Sequence, residues 1–390
     1  MKRIGMEGSF AIAEAVKLAD VDVVAAYPIT PQTHIVERIA ELVANGEINA
    51  SYVPVESEHS AMSACLGSSA VGARTFTATA GQGLELMHEV LYVASSMRLP
   101  IIMVVANRAL SAPLSVWGDH SDVMAVRDCG WIQIFAENVQ QAYDLLICAF
   151  RIGEDPSVLF PVMIHIDGFH LSHIIESLNL IDEDKFCDFL PTYHYPYSLN
   201  PEKPISLGAF GPPNIYTETK KSQDTALRET KGNISQVWQE FGDLTGRYYL
   251  PVEHYKTEDS EVLLITMGSY SENAMIAVDE MRDKGHKVGL VRLRLWRPFP
   301  FEEFRQSVKG ARLLIVMDRA ISFGGPSGPV CSEIQSALYP LDIKPKIVSF
   351  VGGLGGRDVD AMTFKNLINR GIEIGNGSYK GDLEIIEVRE

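Results

Sequence analysis

The chain has 390 residues, with 34 Lys+Arg against 50 Asp+Glu and a formal net charge of −16. Such a charge repels phosphate backbones and excludes nucleic acid as an expected partner, whereas 46% hydrophobic against 22% charged residues is the balance of a folded chain. The length suits two domains, and no apolar run approaches the ~20 residues that span a bilayer, so no membrane partner is expected.

The N-terminal stretch Met-Lys-Arg-Ile-Gly-Met-Glu-Gly has no apolar export segment, and the expected location is cytoplasmic. Asp22–Ala26 is a predicted strand running into Tyr27-Pro28-Ile29-Thr30-Pro31. Pro31 suits the first turn of a helix, where its missing N–H costs nothing. Ile35, Ile39, Leu42 and Val43 follow at helical spacing. Ala50–Val55 reads as a second strand and Ser57–Ala73 as a helix of small residues. Thr75–Thr79 is a third strand, turning through Gly81-Gln82-Gly83 into a helix at Leu84–Met97. Pro100–Ala106 and Val158–His165 are apolar strands. This alternation predicts an α/β fold whose parallel sheet is covered on both faces, with functional loops at the C-terminal ends of the strands.

Pro191–Pro213 holds six prolines, with Tyr193, Tyr195 and Tyr197 among them, and is expected to wrap over protein surface in extended form. A helix is expected at Asn233–Thr245. A second α/β domain starts near Glu261, with strands at Val262–Met267, Lys287–Leu293, Arg312–Met317 and Ile347–Val351 and a helix at Glu272–Lys284. The glycine clusters at 324–328 and 352–356 are expected strand-to-helix loops, and Asp382–Glu390 an edge strand or arm. The expected division is therefore 1–190, a linker or arm at 191–230, and 231–390.

The five cysteines, Cys65, Cys129, Cys148, Cys187 and Cys331, lack the CxxC-type clustering of zinc or iron–sulfur ligands and read as reduced thiols. Walker A, HExxH, GxSxG and a complete dinucleotide fingerprint are absent. His165, His170 and His173 read as satisfied or solvent-facing groups, and no metal ligand is expected. Asp119, His120 and Asp122 suit either a cation or a loop tied by side-chain-to-backbone bonds, the loop being favoured.

Four segments fall at predicted strand ends of the first domain: 27–31, 57–61, 77–83 and 107–122. Together they form a polar, partly glycine-lined crevice. Glu58 opens a helix of small residues, where poor solvation would suit its carboxylate to proton exchange near neutrality; the plain alternative is a first-turn acid favoured by the helix dipole. Arg108 follows a buried strand, where a guanidinium requires an anion, either a ligand or a structural carboxylate. Thr30 is either a ligand-facing hydroxyl or a turn residue.

The runs YPITPQT, VESEHSAMSACLGSSAVGARTFTATAGQGL, NRALSAPLSVWGDHSD, HIDGFHLSH, LTGRYY, ITMGSYSENA and VRLRLWRPFP span nearly the whole chain in order. In this combination the sequence resembles the α subunits of 2-oxoacid:ferredoxin oxidoreductases, most closely those of the pyruvate enzymes. The resemblance implies a doubly wound, pyrimidine-type thiamine diphosphate-binding domain followed by a transketolase C-terminal-like α/β domain. It implies thiamine diphosphate shared with a β subunit, and Mg2+ and 4Fe–4S clusters on partner subunits of β, γ and δ type. The absence of the diphosphate-binding GDG-type motif here agrees with a shared site. The implied reaction converts pyruvate and coenzyme A to acetyl-CoA and CO2, reversibly, with electrons passing to ferredoxin. The alternatives are another 2-oxoacid (branched-chain, aromatic or 2-oxoglutarate), a non-catalytic assembly subunit, or a non-redox thiamine enzyme of transketolase type.

Carried over residue by residue, the resemblance makes Glu58 the group that shares a proton with the pyrimidine N1′ and sets the cofactor's tautomer. It makes Arg108 the partner of the 2-oxoacid carboxylate and Thr30 a hydrogen-bonding group for the substrate. Tyr27, Pro28 and Gln82 would line the pyrimidine pocket. The run Ala109-Leu110-Ser111-Ala112-Pro113 departs from the family pattern, so the pocket for the substrate's side chain is not carried over.

Overall fold

The strand Ile102–Asn107 is buried at every position. Such a strand is stable only in the interior of a sheet covered on both faces, and this requirement sets the architecture. The computed structural model describes residues 2–377 and 383–389. In chain order the elements are β1 (Lys2–Glu7), α1 (Gly8–Leu18), β2 (Val23–Ala26), α2 (Thr33–Ala44), β3 (Ser51–Pro54), α3 (Glu58–Ala70), β4 (Thr75–Thr79) and α4 (Gln82–Ser96). Then come β5 (Ile102–Asn107), α5 (Ser121–Ala125), β6 (Ile132–Phe135), α6 (Val139–Gly153), β7 (Val162–Asp167), β8 (Ile175–Leu180), α7 (Glu183–Phe189) and α8 (Pro213–Thr245). The second half holds β9 (Val252–Tyr255), β10 (Val262–Met267), α9 (Tyr270–Asp283), β11 (Val288–Leu293), β12 (Leu295–Arg297) and α10 (Phe301–Ser307). It ends with β13 (Leu313–Asp318), α11 (Pro329–Leu338), β14 (Lys346–Val351), α12 (Ala361–Asn376) and β15 (Glu384–Ile385).

The first sheet has the order β12-β6-β7-β5-β4-β2-β3. All its neighbours are parallel except the β12–β6 pair. The C-terminal ends of β2, β4, β5 and β7 therefore share one edge. From β2 the chain steps outward to β3 and then returns to β4 on the other side. That reversal opens a crevice at the C-terminal edge, where ligands of doubly wound sheets bind.

Local chemistry explains the elements that border the crevice. In α2, Ile35, Val36, Ile39 and Leu42 form the buried stripe. Ser57 caps α3, its Oγ accepting from the Ser60 amide at 3.2 Å. α3 has little polar-to-apolar segregation; its alanines and serines let it lie close to β2 and α4 instead. The second sheet, β15-β14-β13-β10-β11-β9, is parallel except at β9, and β1 and β8 form a separate antiparallel pair.

Several expectations are corrected. Residues 213–230 are not an extended arm but the first half of the 33-residue helix α8. Pro213 occupies its first turn, where a proline is at home, so the proline pair that suggests a linker is a helix start. Residues 231–249 do not pack with the second sheet: Ile234, Val237, Trp238, Phe241 and Tyr249 belong to the first core. β12 also crosses over, as an edge strand of the first sheet. Pro31 precedes the helix, which begins at Thr33. At the C-terminus β15 pairs with β14 as an edge strand; Asp382 and Glu390 lie outside the described residues. Among the described residues no helix is long and apolar enough to cross a membrane.

Candidate active site

Five loops converge on the C-terminal edge of the first sheet, and each delivers one part of the site. The loop after β2 carries Tyr27, Pro28 and Thr30, all exposed. It is tied down by Gln32, fully buried, whose Nε2 donates to the Ala78 carbonyl at 2.6 Å while its Oε1 accepts from the Ile29 amide at 3.2 Å. The N-terminus of α3 supplies Glu58, only 5% exposed. Its carboxylate makes no hydrogen bond or ion pair among the described residues.

A buried carboxylate without a donor is costly unless a ligand completes it. The neighbouring groups share that condition. Thr79 Oγ1 and Gln82 Oε1 are buried and have no hydrogen-bond partner among the described residues. Gly83 faces Thr79 and Glu58: a Cβ there would lie 2.5 Å from Thr79 Oγ1 and 2.7 Å from Glu58 Oε1. Glycine thus lets both side chains pack directly against the first turn of α4. An acid beside a hydroxyl without a partner has the acceptor and donor chemistry that a ring bearing nitrogens, such as a pyrimidine, would take.

Arg108 lies on the other side of the same loop. Gly81 has φ +48, and a Cβ on it would meet Arg108 Cδ at 3.1 Å, so both backbone and packing call for glycine. The Arg108 side chain is buried; Nε donates to the Ser115 carbonyl at 2.9 Å and Nη1 to the Thr30 carbonyl at 2.9 Å. Nη2 makes no hydrogen bond, and no carboxylate side chain pairs with the guanidinium, among the described residues. Burial pulls the Arg108 pKa down, and the Asp122 charge opposes that pull. The structural ion pair left open by the sequence is therefore absent among the described residues, and an anion would find two bonds' worth of unused donors.

The structure thus brings Arg108 beside Thr30 through the Thr30 carbonyl, and Glu58 beside Thr79 at Gly83, while no hydrogen bond joins Gln82 to Glu58 among the described residues. The two groups meet at the loop 81–83. Tyr27 and Pro28 sit at the exposed rim, and no hydrogen bond or ring contact joins them to Glu58 among the described residues. The segment 119–122 is a tied loop. Asp119 Oδ1 accepts from Ser121 N at 2.9 Å, Asp119 Oδ2 from Gly355 N at 3.1 Å, and Ser121 Oγ accepts from Leu110 N at 2.9 Å. Burial raises the Asp122 carboxyl to about 7 against the four donors that face it.

The second half supports the site from outside. Asp167, at the end of β7, accepts from the Arg319 guanidinium and from Ser269 N at 2.8 Å, and His120 Nε2 lies 3.1 Å away. Burial alone would raise the Asp167 carboxyl, but Arg319, His120 and Ser269 together hold it well below the usual range. Burial takes His165 down to about 3, so it is neutral, stacked on Phe135. Gln32, Thr79, Gly83 and Asp167 are not singled out by the sequence, although Thr79 and Gly83 fall within the crevice segment 77–83. A cavity of about 670 Å3 lies elsewhere, between α4, α8 and the second half. It holds none of these residues, and two of its arginines are already ion-paired: Arg228 with Asp224 at 2.8 Å, Arg297 with Glu333 at 3.1 Å.

A partnerless acid and an arginine without an ionic partner at the C-terminal edge of a doubly wound sheet fit a thiamine diphosphate-binding fold of the pyrimidine type, the class that the family match gives. Residues 14–238 match the family described as "Pyruvate flavodoxin/ferredoxin oxidoreductase, thiamine diP-bdg", and residues 260–364 match "Pyruvate:ferredoxin oxidoreductase core domain II". The chain belongs to the pyruvate flavodoxin/ferredoxin oxidoreductase family. It is 47% identical over 93% of its length to pyruvate synthase subunit PorA of Methanocaldococcus jannaschii, covering 93% of that protein. It is 45% identical over 92% of its length to ketoisovalerate oxidoreductase subunit VorA of Pyrococcus horikoshii, covering 91% of it. Among solved structures, 2-oxoglutarate:ferredoxin oxidoreductase from Magnetococcus marinus superposes with a TM-score of 0.72 at 20% identity over 95% of this chain. This chain spans 65% of that one. A split-gene transketolase matches at a TM-score of 0.57 and 12% identity, over 96% of this chain and 100% of that one. At such identities both structures speak to the fold alone.

Proposed function

We propose that this chain is the α-type subunit of a pyruvate:ferredoxin oxidoreductase, acting on pyruvate and coenzyme A with thiamine diphosphate. One observation carries the reading: a buried carboxylate and a buried guanidinium, both without an ionic partner among the described residues, flank one glycine loop. A scaffold gains nothing from two such groups, since each costs desolvation energy. The relatives named for pyruvate synthase support the substrate. Thiamine diphosphate supplies the electron sink for decarboxylation when bound. Glu58 holds and returns the proton at the pyrimidine N1′, Thr79 and Gln82 face the same ring, Arg108 fixes the substrate carboxylate, and Thr30 donates to the substrate.

The relative named for ketoisovalerate is almost as similar, and it supports a branched 2-oxoacid as the second reading. Purified complex assayed with pyruvate, ketoisovalerate and 2-oxoglutarate separates the two. Pyruvate is expected to have the highest kcat/KM, with ketoisovalerate lower by roughly 10- to 200-fold for its additional methyl groups. A higher kcat/KM for ketoisovalerate would reverse the assignment.

The remaining partners are a β-type subunit completing the cofactor site with Mg2+, γ- and δ-type subunits, and ferredoxin, with 4Fe–4S clusters on the partner chains. On this reading the chain alone binds thiamine diphosphate weakly, because it offers the pyrimidine ring polar partners and the diphosphate no motif. Calorimetry on the purified chain checks this: tight, Mg2+-dependent binding without a partner would contradict a divided site.

A further inference from the structure

The segment WGDHSD is not consumed by the roles assigned above, yet one of its side chains touches both halves of the site. Asp122 is fully buried, and both its oxygens are saturated with N–H donors. Oδ2 accepts from Gly81 N at 3.1 Å and from Arg108 N at 2.9 Å. Oδ1 accepts from Asn107 Nδ2 at 2.9 Å and from Val123 N at 2.8 Å. A single oxygen thus bridges the backbone of the loop carrying Gln82 to the backbone of Arg108. Those loops leave different strands, β4 and β5, and nothing in strand pairing fixes them to each other beyond Thr79.

We propose that Asp122 is a positioning residue: it locks Arg108 to the Gly81–Gly83 loop and so sets the angle at which the substrate carboxylate meets the cofactor. This rests on the reading of Arg108 as the carboxylate-binding group. The segment around Asp122 is held in turn by the second half of the chain. Gly355 N binds Asp119, the Arg319 carbonyl accepts from His120 N at 2.9 Å, and Arg319 Nη2 donates to the Gly118 carbonyl at 3.0 Å. The second half therefore reaches Arg108 through the segment that carries Asp122.

The test uses the assembled complex, with Asp122→Asn, Arg108→Lys and the double variant. In Asp122→Asn one oxygen becomes an NH2 group, and in either orientation that group faces two N–H donors. The expected result is a fall in kcat/KM for pyruvate of roughly 10- to 100-fold, carried mainly by KM, in complex held well below its melting temperature. The double variant should fall within about twofold of the weaker single variant, because both changes act through one guanidinium. A wild-type KM with only a lowered melting temperature would make Asp122 purely structural and overturn the proposal, as would effects that multiply in the double variant. If Asp122→Asn does not assemble, Asp122→Glu takes its place, since it keeps the charge and both acceptors but displaces them; a wild-type KM there overturns the proposal equally. Arg108→Lys distinguishes the two levels. An unchanged KM in that variant removes the reading of Arg108 and the proposal with it, whereas a raised KM there beside an unchanged KM in Asp122→Asn removes the proposal alone.

Discussion

Glu58→Gln leaves the complex assembled and lowers turnover by roughly 10²- to 10⁴-fold, the range expected when a positioned acid–base group is lost. The amide has nearly the shape of the acid, so the packing against Gly83 keeps its form. It cannot take up and return a proton, so the pyrimidine N1′ loses its exchange partner. Stability changes little, because no donor or cation in the described chain is left unpaired when the charge goes. The lost interaction of a first-turn acid with the helix dipole, about 0.3–1 kcal/mol, is offset by relief from burying an unpaired charge. Deuterium exchange at the thiazolium C2 in the assembled complex is the direct measurement. A wild-type exchange rate in Glu58→Gln would assign the activating role to another group; a melting temperature that collapses would make Glu58 a structural acid.

The parts of this site that are legible in the sequence are those with local signatures. Glu58 stands out because it begins a helix of alanines and serines, and Arg108 because it follows a wholly apolar strand. Glycines at 81 and 83 mark a close approach, although the sequence does not say of what. Gln32 and Thr79 carry no such mark. Gln32 precedes α2 and looks like any helix-flanking polar residue; its importance arises from a bond to Ala78, 46 positions away. Thr79 ends a strand rich in threonine, and only its orphaned hydroxyl in the folded chain sets it apart from Thr77, whose Oγ1 donates to the Ala25 carbonyl at 2.7 Å.

The misread elements share a cause. The first half of α8 is polar and starts at a proline pair, so it lacks both an apolar stripe and the look of a helix interior. It is held by continuity with residues 234–241 in the first core, by Ala226 and Leu227 packed on that core, and by Gln223 Nε2 donating to Ser95 Oγ at 3.1 Å. β12 is three residues long and pairs with β6 more than 150 positions earlier, a contact that no local pattern announces. The family resemblance supplies the order of the two α/β units, but not the crossing of β12 and α8 that binds them together.

Arg108→Lys raises the KM for pyruvate and slows turnover as well. In the folded chain the guanidinium already spends Nε on the Ser115 carbonyl and Nη1 on the Thr30 carbonyl. Those two bonds orient the plane so that the remaining donors form a fork for a carboxylate. A lysine ammonium on a flexible stem cannot hold both carbonyls and still present two parallel donors. On the proposed role of Arg108, the leaving CO2 is the very carboxylate that it would hold, so a loosened grip misaligns the bond to be broken as well as weakening affinity. One charge-assisted hydrogen bond contributes about 1.5–3 kcal/mol, which corresponds to roughly a 10- to 150-fold loss in kcat/KM. Arg108→Ala removes the charge too and falls further. A purely structural arginine makes the opposite forecast: the melting temperature drops while the KM of the surviving enzyme stays constant. Measuring both quantities in the Lys variant decides, and an unchanged KM beside a lowered melting temperature would take the substrate away from Arg108.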